Sequence, residues 1–219
     1  MRNRIGLFGL LFLYQSLAWS DLSLRIVDAD GQPVPNAVVA LKADAFVPVE
    51  SASETASAAI MDQVDKQFLP HVLVLKKGQQ VVFPNSDQVR HHVYSFSKPN
   101  DFEIKLYSGD QADPVLFEHP GIVVLGCNIH DQMVGYLYIA DTEIARVSDA
   151  QGLVRFAGNL DKTKQEPEVM LWHSRLSSSK VERVNKKLAT QAEDGVWQIQ
   201  LNLLPEVTKA SRKFKPRFQ

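Results

Sequence analysis

Residues 121–140 read GIVVLGCNIHDQMVGYLYIA. Two apolar runs of strand length, Ile122 to Cys127 and Gly135 to Ala140, flank a polar stretch that carries Cys127, His130 and Met133 as C-x2-H-x2-M. Taken singly, Cys127 reads as a small buried hydrophobe, Met133 as core filler and His130 as a surface imidazole. Together, at one strand–loop–strand junction, they supply a thiolate, an imidazole and a thioether. A copper ion that shuttles between two oxidation states uses such a set: Cys and two His around the metal, with a long axial Met. The second imidazole must come from elsewhere, and His91 and His92 open another strand-like run upstream. Zinc suits the set less well, because Met is a poor zinc ligand and structural zinc sites carry four Cys or His donors. A two-copper site needs a second thiolate, and Cys127 is the only cysteine. Cysteine catalysis with His130 as base leaves Met133 and the His91 strand without a role.

Outward from this stretch, the chain reads as strands. Leu22–Val27 and Ala37–Leu41 come first, with a turn signal at Asp28-Ala29-Asp30-Gly31 between them. His71–Leu75, Gln80–Phe83, His91–Phe96 and Phe102–Tyr107 follow, separated by Lys77-Gly78, Pro84-Asn85 and Pro99-Asn100. Short segments with frequent turn signals predict an all-β sandwich or small barrel. Residues 43–59 are rich in Ala and Ser and predict a linker, with a short helix around Glu54 to Lys66. After Ala140 the pattern is strand, turn at Asp149-Ala150-Gln151-Gly152, strand. Glu168–His173 and Val196–Leu203 are further strands, and Ser177–Lys187 is a polar loop.

The ends carry their own signals. Arg2 and Arg4 precede the apolar run Ile5–Leu13, and Ala18-Trp19-Ser20 offers small residues for cleavage, so 1–20 reads as a signal peptide cut before Asp21. Its removal takes the formal charge from −1 to −3. The expected location is the periplasm or another exported space, where a lone thiol calls for an occupant such as a metal. The charge argues against bulk nucleic-acid binding, and no later segment is long and apolar enough to predict stable membrane insertion. The basic tail 208–219 is expected to fray.

Further motifs surround the donors: Phe68-Leu69-Pro70 with Val72-Leu73-Val74 and Lys77-Gly78, and Phe83-Pro84-Asn85 with His91 as F-x-N-x5-H. Pro120-Gly121 leads into Cys127, and Met133-Val134-Gly135 is followed by Leu137 and Ile139. Through these, residues 68–140 resemble the cupredoxins, the blue copper family of plastocyanin, pseudoazurin and amicyanin. The short C-x2-H-x2-M loop is most similar to amicyanin, with Ile129 where such loops generally have Pro. HHVYSFS and LGCNIHDQMVGY also resemble bacterial methylamine utilization proteins. The resemblance implies a cupredoxin-type Greek-key β-sandwich over 61–140 and one type 1 copper ion held by His91, Cys127, His130 and Met133. It also implies that His92 faces away and that Asn85 ties the ligand loops together. Asn128 and Asp131 flank the donors, and Asp131 is expected to favour Cu(II). His71, Met61 and His92 are spare donors for a second metal site.

The flanks resemble a transthyretin-like, carboxypeptidase-regulatory-like module, at Val27–Ala37 and again at Ser148–Phe156. Residues 21–60 would then hold N-terminal strands and the linker, and 141–219 a C-terminal β module pairing with 21–42. The alternative is that the N-terminal strands complete the cupredoxin sandwich. The implied function is one-electron transfer by a monomer, not an enzyme, to a transient redox partner such as a dehydrogenase or cytochrome. The alternative is copper binding or delivery without redox cycling.

Overall fold

The computed structural model describes residues 21–42, 44, 46–48, 58–109, 112–160, 168–188, 191–192 and 195–206. The expected leader, most of the Ala/Ser-rich stretch and the basic tail lie outside these residues. Among the described residues the regular structure is all β.

Four sheets stack face to face. The first has the order β15 (Leu153–Phe156), β1 (Leu22–Val27), β19 (Trp197–Gln200), and the second β14 (Ile144–Val147), β2 (Val38–Leu41), β17 (Glu168–Trp172), β18 (Arg183–Lys187). The third runs β10 (Phe102–Tyr107), β9 (His91–Ser95), β12 (Gly121–Cys127), β13 (Val134–Ala140), β7 (Val72–Lys76). The fourth is β11 (Val115–Phe117), β8 (Gln79–Val82), β4 (Ala59–Ile60). Two ribbons complete the fold: β3 (Phe46–Pro48) with β16 (Gly158–Leu160), and β5 (Asp62–Val64) with β6 (Gln67–Leu69).

The strand period explains the stacking. Successive side chains point to opposite faces, so a strand with one wet face alternates apolar and polar, and a strand covered on both faces is apolar throughout. Val38-Val39-Ala40-Leu41 and Tyr136–Ala140 are of the second kind, and every one of these residues is buried. In β2, Val39 and Leu41 join an apolar core with Leu24 and Ile26 of β1, while Val38 and Ala40 face the other way. In β13, Leu137 and Ile139 pack with Val81 and Phe117 of the fourth sheet, whereas Tyr136 and Tyr138 meet Trp172 of β17. The Tyr136 and Trp172 ring centroids are 5.2 Å apart.

The N-terminal strands pair across the metal-motif segment. β1 is antiparallel to β15 and parallel to β19, and β2 lies between β14 and β17. Neither β1 nor β2 adds a strand to the third or fourth sheet. The Ser148 side chain helps close this pairing: its hydroxyl donates to the Val34 carbonyl at 2.7 Å and accepts from the Ala37 N–H at 2.9 Å.

Two sequence expectations are corrected. The helix expected up to Lys66 gives way, from Ala59 onward, to β4, β5 and the turn into β6. Met61 and Gln63 are fully buried with Asp62 between them, a period of two. Asp65 and Lys66 both have positive φ, 51° and 58°, the two-residue hairpin turn whose twist suits flanking strands. The polar loop expected over Ser177–Lys187 contains β18, which pairs with β17 from Trp172↔Arg183 to Glu168↔Lys187. An edge strand exposed at Arg183, Asn185, Lys186 and Lys187 does not show the apolar pattern of a core strand, and its charges discourage pairing with another chain.

His173 lies at the end of β17, 8% exposed. Its Nδ1 accepts from the Arg175 N–H at 3.1 Å. Burial, followed by the positive charge of Arg175, pushes its pKa down to about 4, against the opposing hydrogen bond to the Pro35 backbone. An unfolded His titrates near 6.5, so below that pH the unfolded chain binds the extra proton more readily. Stability linked to His173 is therefore complete above about pH 6.5 and is lost as the pH falls toward about 4. His173→Asn keeps an acceptor without the titration. Urea midpoints at pH 7 and pH 5 should fall further apart in the wild type than in this variant, and equal falls would contradict the assignment.

Candidate metal centre

The C-x2-H-x2-M spacing is the length of two β-turns. A β-turn places residue i+3 beside residue i, often with a hydrogen bond between them. Here the His130 N–H reaches the Cys127 carbonyl at 3.4 Å, and the Met133 N–H donates to the His130 carbonyl at 2.8 Å. Cys127, His130 and Met133 thus stand at successive corners, with Asn128, Ile129, Asp131 and Gln132 in the exposed arcs. The turns join β12 to β13 just beyond the Gly126↔Val134 pair.

The third sheet brings the fourth residue. β9 lies on the other side of β12, with Cys127 opposite Val93. Along β9 the residues at 91, 93 and 95 point inward, so His91 enters the core beside Cys127 and is fully buried. Its Nδ1 lies 3.6 Å from the Cys127 Sγ, and the His130 Nδ1 lies 3.8 Å from the same sulfur. The three donor atoms lie within 4.8 Å of one another, and among the described residues no other group of three or more His, Cys, Asp or Glu donors comes so close. Met133 is buried in the same apolar cluster as Cys127.

Two glycines allow the close packing. A Cβ at Gly135 would lie 2.8 Å from the Phe68 Cβ, and one at Gly126 would lie 2.9 Å from the Tyr94 ring. Phe68 therefore seats on the start of β13, and Tyr94 on the residue before the thiol.

The other sequence candidates fall elsewhere. His92 points to the opposite face, its Nε2 2.9 Å from Glu103 Oε1 and its ring edge-on to Tyr94. Met61 is enclosed in the apolar core, and His71 packs edge-on to Tyr136. The spare donors His71, Met61 and His92 thus lie in different surroundings among the described residues. The Asn85 side chain donates to the carbonyls of Val89 and Tyr107, both at 2.9 Å, and accepts from the Asp87 N–H at 3.0 Å. These bonds brace the approach to His91, and none reaches the Cys127 loop. Asn128 and Asp131 are exposed and make no hydrogen bond to the donors among the described residues.

Asp87 is the residue that the sequence reading missed. Its carboxylate lies 2.7 Å from the His91 Nε2. It also accepts from the N–H groups of Asp65 and Lys66 in the hairpin turn, at 2.7 and 2.9 Å. Desolvation raises its pKa, but the Lys66 N–H, the His91 ring and the Asp65 N–H together outweigh this and hold the carboxyl below its usual range. The only sequence cue was an acidic residue four positions before His91. Behind His91, Tyr107 is its cross-strand partner and donates its hydroxyl to the Phe83 carbonyl, with Gln63 bonded to the same hydroxyl. Burial pushes the Tyr107 pKa up to about 12, so this phenol stays protonated.

His130 is half-buried and borders an open groove of about 690 Å³ between the hairpin turn and the ligand loop, with Lys66, His71 and Ile129 also on its walls.

No family model matches this chain, and no curated protein matches it. Solved structures do. A Cu-containing nitrite reductase from Thermus scotoductus SA-01 is 23% identical with a TM-score of 0.37, over 43% of this chain and 25% of that one. The chain thus spans about a quarter of that protein's length. A reduced Cu(I) form of an amicyanin variant is 19% identical with a TM-score of 0.36, over 47% of this chain and 98% of that one. Amicyanin from Paracoccus versutus is 22% identical with a TM-score of 0.35, over 47% and 97% respectively. Likenesses of this extent assign no function to this chain.

The geometry predicts which residues take a metal. Titrated with Co(II), the wild type should show a thiolate-to-cobalt absorption band. Cys127→Ser should lose the band, His91→Ala should weaken binding by more than about tenfold, and His92→Ala should match the wild type. Equal losses in the two histidine variants would show that His91 has no special role.

Proposed function

We propose that this chain is an exported type 1 (blue) copper protein that carries single electrons between redox partners. The observation that supports this most is the convergence of one thiol and two imidazole Nδ1 atoms on a point inside a β-sandwich. The donor types fit copper: Cys127, His91 and His130 would hold the ion, with the Met133 thioether as a further, weaker donor from the same cluster. A structural zinc reading lacks a fourth strong donor. A bound copper ion would supply a reversible one-electron couple.

The protein's part is to hold the donors still. Cys127 and His91 sit at strand ends in the core, and His130 and Met133 in a loop closed by two hydrogen-bonded turns. Donors on regular elements are placed more accurately than donors on free loops, and a set that barely moves suits both oxidation states. Cys127, His91 and Met133 are shielded from water, whereas His130 reaches the groove. A partner docking there would meet the edge of one ligand through a small, transient interface. In this reading the chain is a monomeric carrier rather than an enzyme, with neither nucleic acid nor a membrane as partner.

Two experiments test the proposal. One equivalent of copper should give an intense visible band, a type 1 electron paramagnetic resonance spectrum and a reversible voltammetric wave. Met133→Leu should raise the potential, because loss of an electron-rich donor destabilises Cu(II) more than Cu(I), and Met133→Gln should lower it. Binding of Cu(I) alone, without a reversible wave, would replace electron transfer with copper carriage. Export rests on the sequence of residues 1–20. Fractionation should find the chain outside the cytoplasm, beginning at Asp21, and a full-length cytoplasmic chain would contradict export.

A further inference from the structure

His91 uses both ring nitrogens. Nδ1 faces the Cys127 sulfur at 3.6 Å, and Nε2 faces Asp87 Oδ2 at 2.7 Å. An ionised carboxylate only accepts hydrogen bonds, and a neutral imidazole carries its proton on one nitrogen. A proton on Nε2, donated to Asp87, leaves the Nδ1 lone pair free and aimed at the thiol. The ring cannot turn about without breaking this bond inside a fully buried site.

Asp87 is itself fixed from another part of the chain. Oδ1 accepts the Asp65 N–H and Oδ2 the Lys66 N–H. Positive φ at a lysine is uncommon, and these two bonds help hold the turn in that form. One carboxylate therefore receives three donors, two from the hairpin turn and one from His91. Asparagine has nearly the same shape but cannot do this: one of its two ends is an amide NH₂, which must face either the Asp65 N–H or the pair formed by the Lys66 N–H and the His91 ring.

We propose that Asp87 is a positioning residue for the metal centre: anchored by the Asp65–Lys66 turn, its carboxylate locks the ring orientation and tautomer of His91 so that Nδ1 is presented beside Cys127. The β5–β6 hairpin is then part of the centre's support, although it supplies no ligand. This rests on the reading of His91 as a ligand. A carboxylate on the far nitrogen raises the basicity of the imidazole, which favours the more highly charged metal ion, and loss of such a partner commonly costs 10–100-fold in metal affinity.

The test has one readout without metal and one with it. In the metal-free protein, proton–nitrogen spectra should show a slowly exchanging His91 Nε2–H proton, absent in Asp87→Ala. With Cu(II) as the probe, Asp87→Asn should bind about 10–100-fold more weakly, lose less affinity for Cu(I), and therefore have a higher reduction potential than the wild type. A merely structural Asp87 would lower stability without moving the potential. The proposal is overturned if the metal-free wild type lacks the protected proton. It is equally overturned if Asp87→Asn binds Cu(II) as the wild type does with an unchanged potential. If Asp87→Asn does not fold, the metal-free resonance decides alone. Failure of the wild type to take up copper would instead overturn the copper reading, and the same resonance would still decide whether Asp87 orients His91.

Discussion

The pairing of β12 between β9 and β13 places Cys127 opposite Val93, at the point where one strand ends and the double turn begins. Side chains alternate along a strand, so this register puts His91 and Cys127 on the same buried face and sends His92 to the other. A slip of one residue would exchange the two histidines and turn the apolar residues of β9 outward. The centre is thus specified by the same contacts that build the core. Val93, Val123, Leu125 and Leu137 cannot be buried as they are without bringing the donors together.

The stack of sheets gives that register its rigidity. β13 is covered on one side by the fourth sheet and on the other by Trp172 and its neighbours in the second. A donor loop on a sheet with one wet face would have only half of this support. The segments on either side of residues 59–140 therefore contribute to the site without touching it: they pair with each other through β1 and β15 and through β2, β14 and β17, and close over the outer face of β13. The hairpin carrying Asp65 and Lys66 acts closer in, through the hydrogen bonds that reach His91 by way of Asp87.

Much of the strand pattern was legible because it follows local rules. Phe102–Tyr107 is a strand over the span its residues suggested, and the expected ends of β9 and β12 lie within one residue of those observed. The failures share a cause. β4, β5 and β6 are only two or three residues long, too short for a period to emerge beside an Ala/Ser-rich stretch. β18 is polar because it is an edge. Asp87 gave only a weak cue, its spacing from His91, because the bonds that fix it come from a turn more than twenty residues away, and an aspartate in a turn is ordinary.

The sequence alone determined the chemistry of the donors: a single thiol, an imidazole and a thioether at turn spacing, with a histidine pair upstream. It also determined the longer apolar strands such as β9, β10 and β12, since both depend on residue type and short spacing. The family resemblance pointed to His91 and to a pairing of 21–42 with the C-terminal strands, but only the tertiary structure decided that Asp87 rather than Asn128 or Asp131 bonds to a donor, and the register in which β1 and β2 meet their partners. These depend on register and on contacts between distant segments, which arise when apolar faces find one another in the folded chain and leave no local mark on the sequence.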